Sequence, residues 1–97
     1  MTTSRKKFNQ ACRYIDPDST ADGSLCGGMT ATFDSKSTGG ITVVIGWFTG
    51  KPSTLAHECS HAVWKILGIT GVRCETDNNE AFAYLLGDMV KRFWSNK

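Results

Sequence analysis

The chain has 97 residues, of which 40% are hydrophobic and 21% charged, and its formal net charge is +2. This length and balance exclude a disordered chain and suit one small globular domain. The small charge does not favour nucleic acid as a partner, and no apolar run reaches the ~20 residues that span a membrane. We therefore expect a single domain over residues 1–97, with the polar stretch 1–7 disordered.

Four cysteines lie far apart in the sequence, at Cys12, Cys26, Cys59 and Cys74. Residues 1–7 are polar and no apolar segment follows them, so the sequence shows no secretory signal peptide. We therefore interpret the cysteines as reduced thiols, and we expect a cytoplasmic protein rather than a secreted one with disulfides. A second metal site made by Cys12, Cys26 and Cys74 is not supported, because the chain has no C-x-x-C pair.

The first predicted element is an amphipathic helix over residues 8–15. Its apolar side chains recur at helical spacing, at Phe8, Ala11, Cys12 and Ile15. Asp16-Pro17 then ends the helix, because proline disfavours helical backbone in the residue before it. Residues 12–15 also suit the start of a strand. Residues 16–28 are rich in glycine, serine and aspartate, and we expect a loop there.

Two strands are predicted next. Residues 29–34 alternate strictly, with Met29, Ala31 and Phe33 on one face and polar residues on the other, which predicts a half-buried strand. Residues 41–48 are rich in β-branched and aromatic side chains and predict a second strand. The connection over 35–40 is short and rich in serine and glycine, so the two strands are predicted to form an antiparallel hairpin.

The remaining chain predicts two helices. The first spans residues 53–67, with Ser53 as its N-cap and Gly68 as its C-terminal stop. Residues 69–76 are predicted to connect it to a second helix, whose apolar side chains run from Ala81 to Trp94. Together the elements predict an α+β fold, in which the hairpin packs on these two helices and the N-terminal helix completes the domain.

The helix predicted over 53–67 contains the sequence His57-Glu58-Cys59-Ser60-His61, which holds both histidines of the chain. Residues four apart lie one turn above each other, so the two imidazoles share a side, together with Trp64 and with Glu58 beside them. The apolar stripe lies opposite and consists of Leu55, Cys59, Ala62, Val63, Ile66 and Leu67. Two imidazoles with a neighbouring carboxylate are typical of a zinc hydrolase, in which the carboxylate takes a proton from the metal-bound water.

A hydrolytic zinc site requires a third protein ligand, and Glu80 is our candidate. Asp77 and Glu80 also have the spacing of a helix capping box, which the local sequence alone favours. The small residues Ala83 and Gly87 share the Glu80 side of the last helix and would let the histidine helix approach closely. Asp77 is the main rival ligand, and Asp88 suits a supporting role as acceptor for the free N–H of a ligand histidine.

These two motifs together resemble the plan of the gluzincins, which place two zinc-binding histidines on one helix and a glutamate on a following helix. The matching residues are His57-Glu58-x-x-His61 and Asn79-Glu80-Ala81-Phe82-Ala83, and 80 − 61 = 19 positions separate the last histidine from the glutamate. The chain also resembles very short His-Glu-x-x-His proteins encoded by phages and prophages. The resemblance covers mainly residues 41–90. It implies a minimal zincin-like fold, a zinc ion held by His57, His61 and Glu80, and Glu58 as general base.

The chain departs from the thermolysin-like members of that group at two points. They carry an aspartate where this chain has Tyr84, and they use a further histidine to stabilise the tetrahedral oxyanion. We expect Tyr84 to take that role because it shares the Glu80 side of its helix, and a phenol donates a hydrogen bond to an oxyanion. Tyr14 and Arg73 are the rivals.

The resulting hypothesis is a zinc metallopeptidase that acts on a protein or peptide substrate, with no nucleic acid or membrane partner. The substrate is expected to lie along an exposed edge of the hairpin, with residues 41–47 as the wall of the cleft. Two alternatives stay open. One is a non-catalytic zinc-stabilised protein, such as a phage accessory or virion component. The other is a module that binds a host protein through Trp47, Phe48 and Trp94.

Overall fold

The computed structural model describes residues 1–34 and 40–96, and these residues form three helices and one two-stranded antiparallel sheet. The elements follow in the order α1 (Arg5–Ile15), β1 (Gly28–Asp34), β2 (Ile41–Trp47), α2 (Pro52–Thr70) and α3 (Glu80–Ser95). The expected α+β class, with its hairpin and N-terminal helix, is confirmed. Most of the predicted turn, residues 35–39, lies outside the described residues. Over the described ranges, no helix has the length and apolar character that crossing a membrane requires.

The two strands pair with Gly28 opposite Trp47 at one end and Asp34 opposite Ile41 at the other. The segment before α1 adds to the far edge of β2: the Thr2 N–H donates to the carbonyl of Ile45, and the Trp47 N–H donates to the carbonyl of Thr2, both at 2.9 Å. Among the described residues, β1 therefore keeps one edge without a strand partner.

The N-terminal segment differs from the disorder expected for residues 1–7. Thr2 is paired with β2, and α1 begins at Arg5 rather than Phe8. Ser4 caps the helix by accepting a hydrogen bond from the Lys7 N–H. The reason is that a serine N-cap satisfies a free helical donor, so the helix extends one turn beyond its apolar positions.

The core lies between the sheet and α2. Ile45 and Trp47 of β2 pack on the buried residues of α2, and the partly buried apolar residues of α3 close the cluster. The Trp47 indole N–H donates to the carbonyl of Lys51 at 2.8 Å, which joins the end of β2 to the start of α2. Trp47 is only 1% exposed and Phe48 is half-buried, whereas Trp94 is 40% exposed, so Trp47 adds nothing to an exposed surface with the other two.

Helix α3 runs antiparallel to α2. In its first turn, Phe82 packs edge-on against Trp64, with the ring centroids 5.5 Å apart. In its last turn, Trp94 packs against Trp47, which adjoins the start of α2. The residues of α3 that face the core are Phe82, Leu86, Met89, Val90 and Phe93.

The other face of the sheet is covered as well. Gly46 points away from the core, and a side chain there would collide with the ring of Phe48. That ring packs edge-on against Phe8 of α1, with the centroids 5.7 Å apart. The predicted half-buried strand is confirmed as β1, and both of its faces are partly covered, because its residues 28–33 are all half-buried.

The helix ends differ from those expected. Helix α2 begins at Pro52, which suits the first helical position, rather than after a Ser53 cap. It continues past Gly68 to Thr70, and Gly71 takes the left-handed conformation (φ 76°) that ends it. The capping box does not form: Asp77 lies in a turn closed by hydrogen bonds between Glu75 and Asn78, and no side chain caps α3.

Candidate functional site

His57 and His61 form a pair on the outer side of α2. The predicted apolar stripe is packed inward, and this leaves both imidazoles exposed, as expected. Their Nε2 atoms lie 3.1 Å apart. Two nitrogen ligands at about 2.0–2.1 Å from a tetrahedral zinc ion stand about 3.3 Å apart. The spacing therefore fits one ion bound by both Nε2 atoms.

Glu58 is buried although it follows an exposed histidine. It is 7% exposed, whereas the side chain of His57 is 67% exposed, and it is the one charged residue that is buried in the described parts of the chain. Its Oε2 lies 3.9 Å from Nε2 of His57. A carboxylate held this close to the histidine pair is placed to accept a proton beside them.

Thr30 of β1 holds the other oxygen of that carboxylate. Its hydroxyl donates to Oε1 of Glu58 at 2.9 Å and lies at the same distance from the Glu58 carbonyl oxygen. Sequence reasoning missed Thr30 because it did not determine which face of β1 turns towards the histidine helix. The available signal was the alternation itself, in which Gly28, Thr30 and Thr32 share one face, and that face turns towards α2.

Gly28 lets β1 approach α2 beside Glu58. A Cβ atom at this position would lie 2.9 Å from Cγ of Glu58, 2.8 Å from Cγ2 of Thr54 and 3.0 Å from the carbonyl oxygen of Gly46. Any larger residue would therefore push the strand away from the helix. Glycine at 28 is thus part of what places Thr30 within hydrogen-bonding distance of Glu58.

A cleft of about 850 Å³ runs between β1 and α2. Its lining residues are Gly28, Met29, Thr30, Thr32, Glu58, His61, Trp64, Lys65, Gly68 and Ile69. A smaller depression of about 430 Å³ lies on the His57 side and shares Gly28 and Glu58 with the cleft. Glu58 therefore stands between two open spaces. The expectation that residues 41–47 form the wall is wrong: β1 lines the cleft, and within residues 1–34 and 40–96 it is β1 that has an edge without a strand partner.

Helix α3 does not bring Glu80 to the histidines. Glu80 and the residues on its side, Ala83, Tyr84 and Gly87, are all exposed, and a Cβ at Gly87 would meet no atom within 4 Å. The close helix contact expected at these small residues is therefore absent. At about 100° per residue, Glu80 lies roughly 200° from Phe82 around the helix, nearly opposite the side that packs on α2.

The other predicted supporting residues also lie elsewhere. Asp77 is exposed in the turn before α3, and Asp88 pairs with Arg92 one turn along, with 2.9 Å between Oδ2 and Nε. Tyr84 is 75% exposed and does not line the cleft. Across residues 1–34 and 40–96, no three His, Cys, Asp or Glu side chains stand together as a metal-binding group. The structure thus brings together His57, Glu58 and His61, without the predicted third ligand.

The four cysteines are all free thiols. Cys59 is fully buried on the apolar stripe, as expected. Burial, and then the charge of Glu58, raise the pKa of its thiol to about 11. Burial also raises the pKa of Cys12. Both thiols therefore stay neutral at physiological pH and act as small core residues.

Comparison with protein-family models, with curated proteins and with solved structures finds no match for this chain. The chemistry of the site therefore rests on its own residues.

Proposed function

We propose that this protein is a zinc-dependent hydrolase of peptide bonds. The observation that carries the proposal is the convergence of His57 and His61, with 3.1 Å between their Nε2 atoms, beside a buried carboxylate. The histidine pair fits two positions of a zinc ion, and the third ligand is not among the groups that the fold brings together. When bound, zinc polarises a substrate carbonyl and lowers the pKa of a water.

Glu58 is the general base of this proposal. Thr30 holds its Oε1, and its Oε2 lies on the histidine side of the carboxyl group. From there, Oε2 takes a proton from the attacking water and later passes it to the leaving amine. Because Thr30 holds Oε1, the Glu58 carboxylate keeps the same orientation in both proton transfers and does not have to change rotamer between them.

We propose that the substrate binds along the edge of β1 that has no strand partner among the described residues. Four residues of β1 line the cleft next to Glu58, namely Gly28, Met29, Thr30 and Thr32. An extended peptide adds to such an edge by main-chain hydrogen bonds, and alternate side chains then point into the cleft. Neither Tyr84 nor Tyr14 lines the cleft, so we assign the oxyanion role to neither of them.

The deciding experiment combines metal analysis with peptide cleavage. Purified wild type should bind zinc and generate new N-termini in a mixture of proteome-derived peptides, read by mass spectrometry. Glu58→Gln should keep the zinc and lower the cleavage rate at least ~100-fold, since it removes the base and keeps the shape. Glu75→Gln is the matched control, because Glu75 is an exposed glutamate outside the cleft. Cleavage that survives in Glu58→Gln would overturn the mechanism.

A second candidate is a non-catalytic protein whose fold zinc stabilises, such as a phage accessory or virion component or a protein that binds a host partner. The observation behind this candidate is that the described residues do not bring together the three protein ligands that a hydrolytic zinc site uses. For either function we propose a cytoplasmic location, in which the four free thiols stay reduced. Zinc that raises the melting temperature of wild type, with no cleavage of any peptide, would support this candidate instead.

A further inference from the structure

Gly68 is a glycine in the last turn of α2, at a position where the backbone does not require one. Helix α2 continues to Thr70, and the positive φ angles among the described glycines belong to Gly50 and Gly71. Glycine in a helix interior costs about 1 kcal/mol relative to alanine. Packing does not require it either, because a Cβ at Gly68 would meet no atom within 4 Å.

The absence of a side chain at Gly68 keeps the cleft open. Gly68 lines the large cleft that contains Glu58 and His61, and it also lines an adjoining depression of about 410 Å³. Trp64 borders both spaces. The two spaces therefore meet across Gly68, about two helical turns from His61.

The walls beside Gly68 are apolar and exposed. Trp64 is 60% exposed and Ile69 is 48% exposed. The Trp64 ring is nevertheless held in place, because Phe82 of α3 packs edge-on against it. An exposed indole that is already fixed, next to the open space over Gly68, is suited to bind a large apolar side chain. Such a side chain would bury its surface against the indole at little cost in conformational entropy to the protein.

The exposed charge of this part of the cleft is positive. Lys65 borders the cleft and forms no ion pair with any residue that the structure describes. Glu58 is the one acidic residue that lines the cleft, and it is buried and bonded to Thr30. The Arg73 and Glu75 side chains of the adjoining depression pair with each other at 3.8 Å. The cleft therefore complements an acidic group near Lys65.

We infer that these residues, Trp64, Lys65, Gly68 and Ile69, form a specificity subsite, which we name the Gly68 groove. It binds a large apolar side chain of the peptide substrate, with an acidic residue next to it in the peptide facing Lys65. As a substrate subsite it rests on the proposed function. As a peptide-binding groove it depends only on the geometry of α2 and on Phe82 of α3, which holds the Trp64 ring.

Binding is tested without turnover, on the metal-free Glu58→Gln chain, by following the Gly68 amide and the Trp64 indole N–H in heteronuclear NMR. The probes are the blocked peptides Ala-Phe-Glu-Ala, Ala-Ala-Glu-Ala and Ala-Phe-Lys-Ala. We expect both signals to shift with Ala-Phe-Glu-Ala, and each of the other peptides to bind at least ~10-fold more weakly, a difference of about 1.4 kcal/mol. Lys65→Glu should reverse the preference between Glu and Lys.

Gly68→Leu fills the groove and should abolish the shift of the Trp64 signal. Gly87→Leu is the matched control, since Gly87 is also a helical glycine with open space around it, and it lies outside the groove. The inference is overturned if no peptide shifts these signals, or if Gly68→Leu binds as well as Gly87→Leu. It is also overturned if Trp64 shifts with protein concentration alone, because a second copy then occupies the groove.

The proposed hydrolase activity and the proposed Gly68 groove can be refuted independently of each other. Preferential binding in the groove without any cleavage by zinc-loaded wild type removes the hydrolase and keeps the groove. Cleavage with no preference for apolar and acidic neighbours removes the groove and keeps the hydrolase.

Discussion

The hydroxyl of Thr30 lies 2.9 Å from Oε1 of Glu58, across the gap between β1 and α2. This contact joins a strand residue to the motif 58 − 30 = 28 positions later in the chain. Gly28 is the residue that makes the gap narrow enough for it. A buried carboxylate without a donor is costly, so the contact both stabilises the fold and orients the proposed base.

Thr30→Val removes the hydroxyl and keeps the shape of the side chain. We expect a loss of about 1.5–3 kcal/mol in the free energy of unfolding, because the buried carboxylate of Glu58 loses its donor. Urea denaturation measures this change. Thr30→Ser should retain most of the stability. Thr32→Val, on the same face of β1, is the control, and a loss there equal to that of Thr30→Val would contradict the assignment.

Gly28→Ala places a methyl group against Glu58, Thr54 and the backbone of Gly46. We expect it to destabilise the protein by about 1–3 kcal/mol, as overpacking does, and to weaken the Thr30–Glu58 hydrogen bond. Gly68→Ala is the control of opposite sign and should stabilise the chain by about 0.5–1 kcal/mol, since its Cβ has open space. Thermal unfolding of both variants is the measurement, and equal effects would refute the close approach of β1.

Measurements of zinc affinity should distinguish the two histidines, which we expect to bind the ion, from Glu80, which we do not. His57→Ala and His61→Ala should each weaken zinc binding by more than the roughly 10–100-fold that loss of a supporting residue costs. Glu80→Gln should leave the affinity unchanged, because Glu80 is exposed nearly opposite the packed face of α3. Competition with a chelating dye gives the affinities. A Glu80→Gln affinity as low as those of the histidine variants would show that α3 turns when the metal binds.

The buried thiol of Cys59 makes stability fall at high pH. In the unfolded chain the thiol ionises near its ordinary pKa of 9.0, whereas in the folded protein burial and Glu58 raise the pKa to about 11. The unfolded state therefore loses its proton first. The stabilisation is complete below pH 9 and is lost as the pH rises towards 11, by at most on the order of 2 kcal/mol.

Cys59→Ala should remove this part of the pH dependence. The measurement is the difference in unfolding free energy between wild type and variant at pH 8 and at pH 10.5, which cancels the titration of the lysines. Cys26→Ala is the control, because Cys26 is only half-buried. If the difference between wild type and Cys59→Ala does not change between the two pH values, the thiol ionises equally in both states.

Local patterns in the sequence were enough to predict each helix and strand and the side of α2 that carries His57 and His61. The physical reason is that a 3.6-residue or two-residue period sorts side chains within one element, whatever lies around it. Helix ends were less certain, because Gly68 and Gly71 are both able to end α2. The left-handed conformation falls on Gly71, three residues further on.

Only the tertiary structure decided which groups meet. The sequence placed Glu80 on one side of α3, but the larger apolar side of that helix, from Phe82 to Phe93, is the one that packs on the core and turns Glu80 to solvent. It also decided that β1, and with it Thr30, faces Glu58. Such meetings depend on which apolar surfaces bury each other across distant parts of the chain, and no local period contains that information.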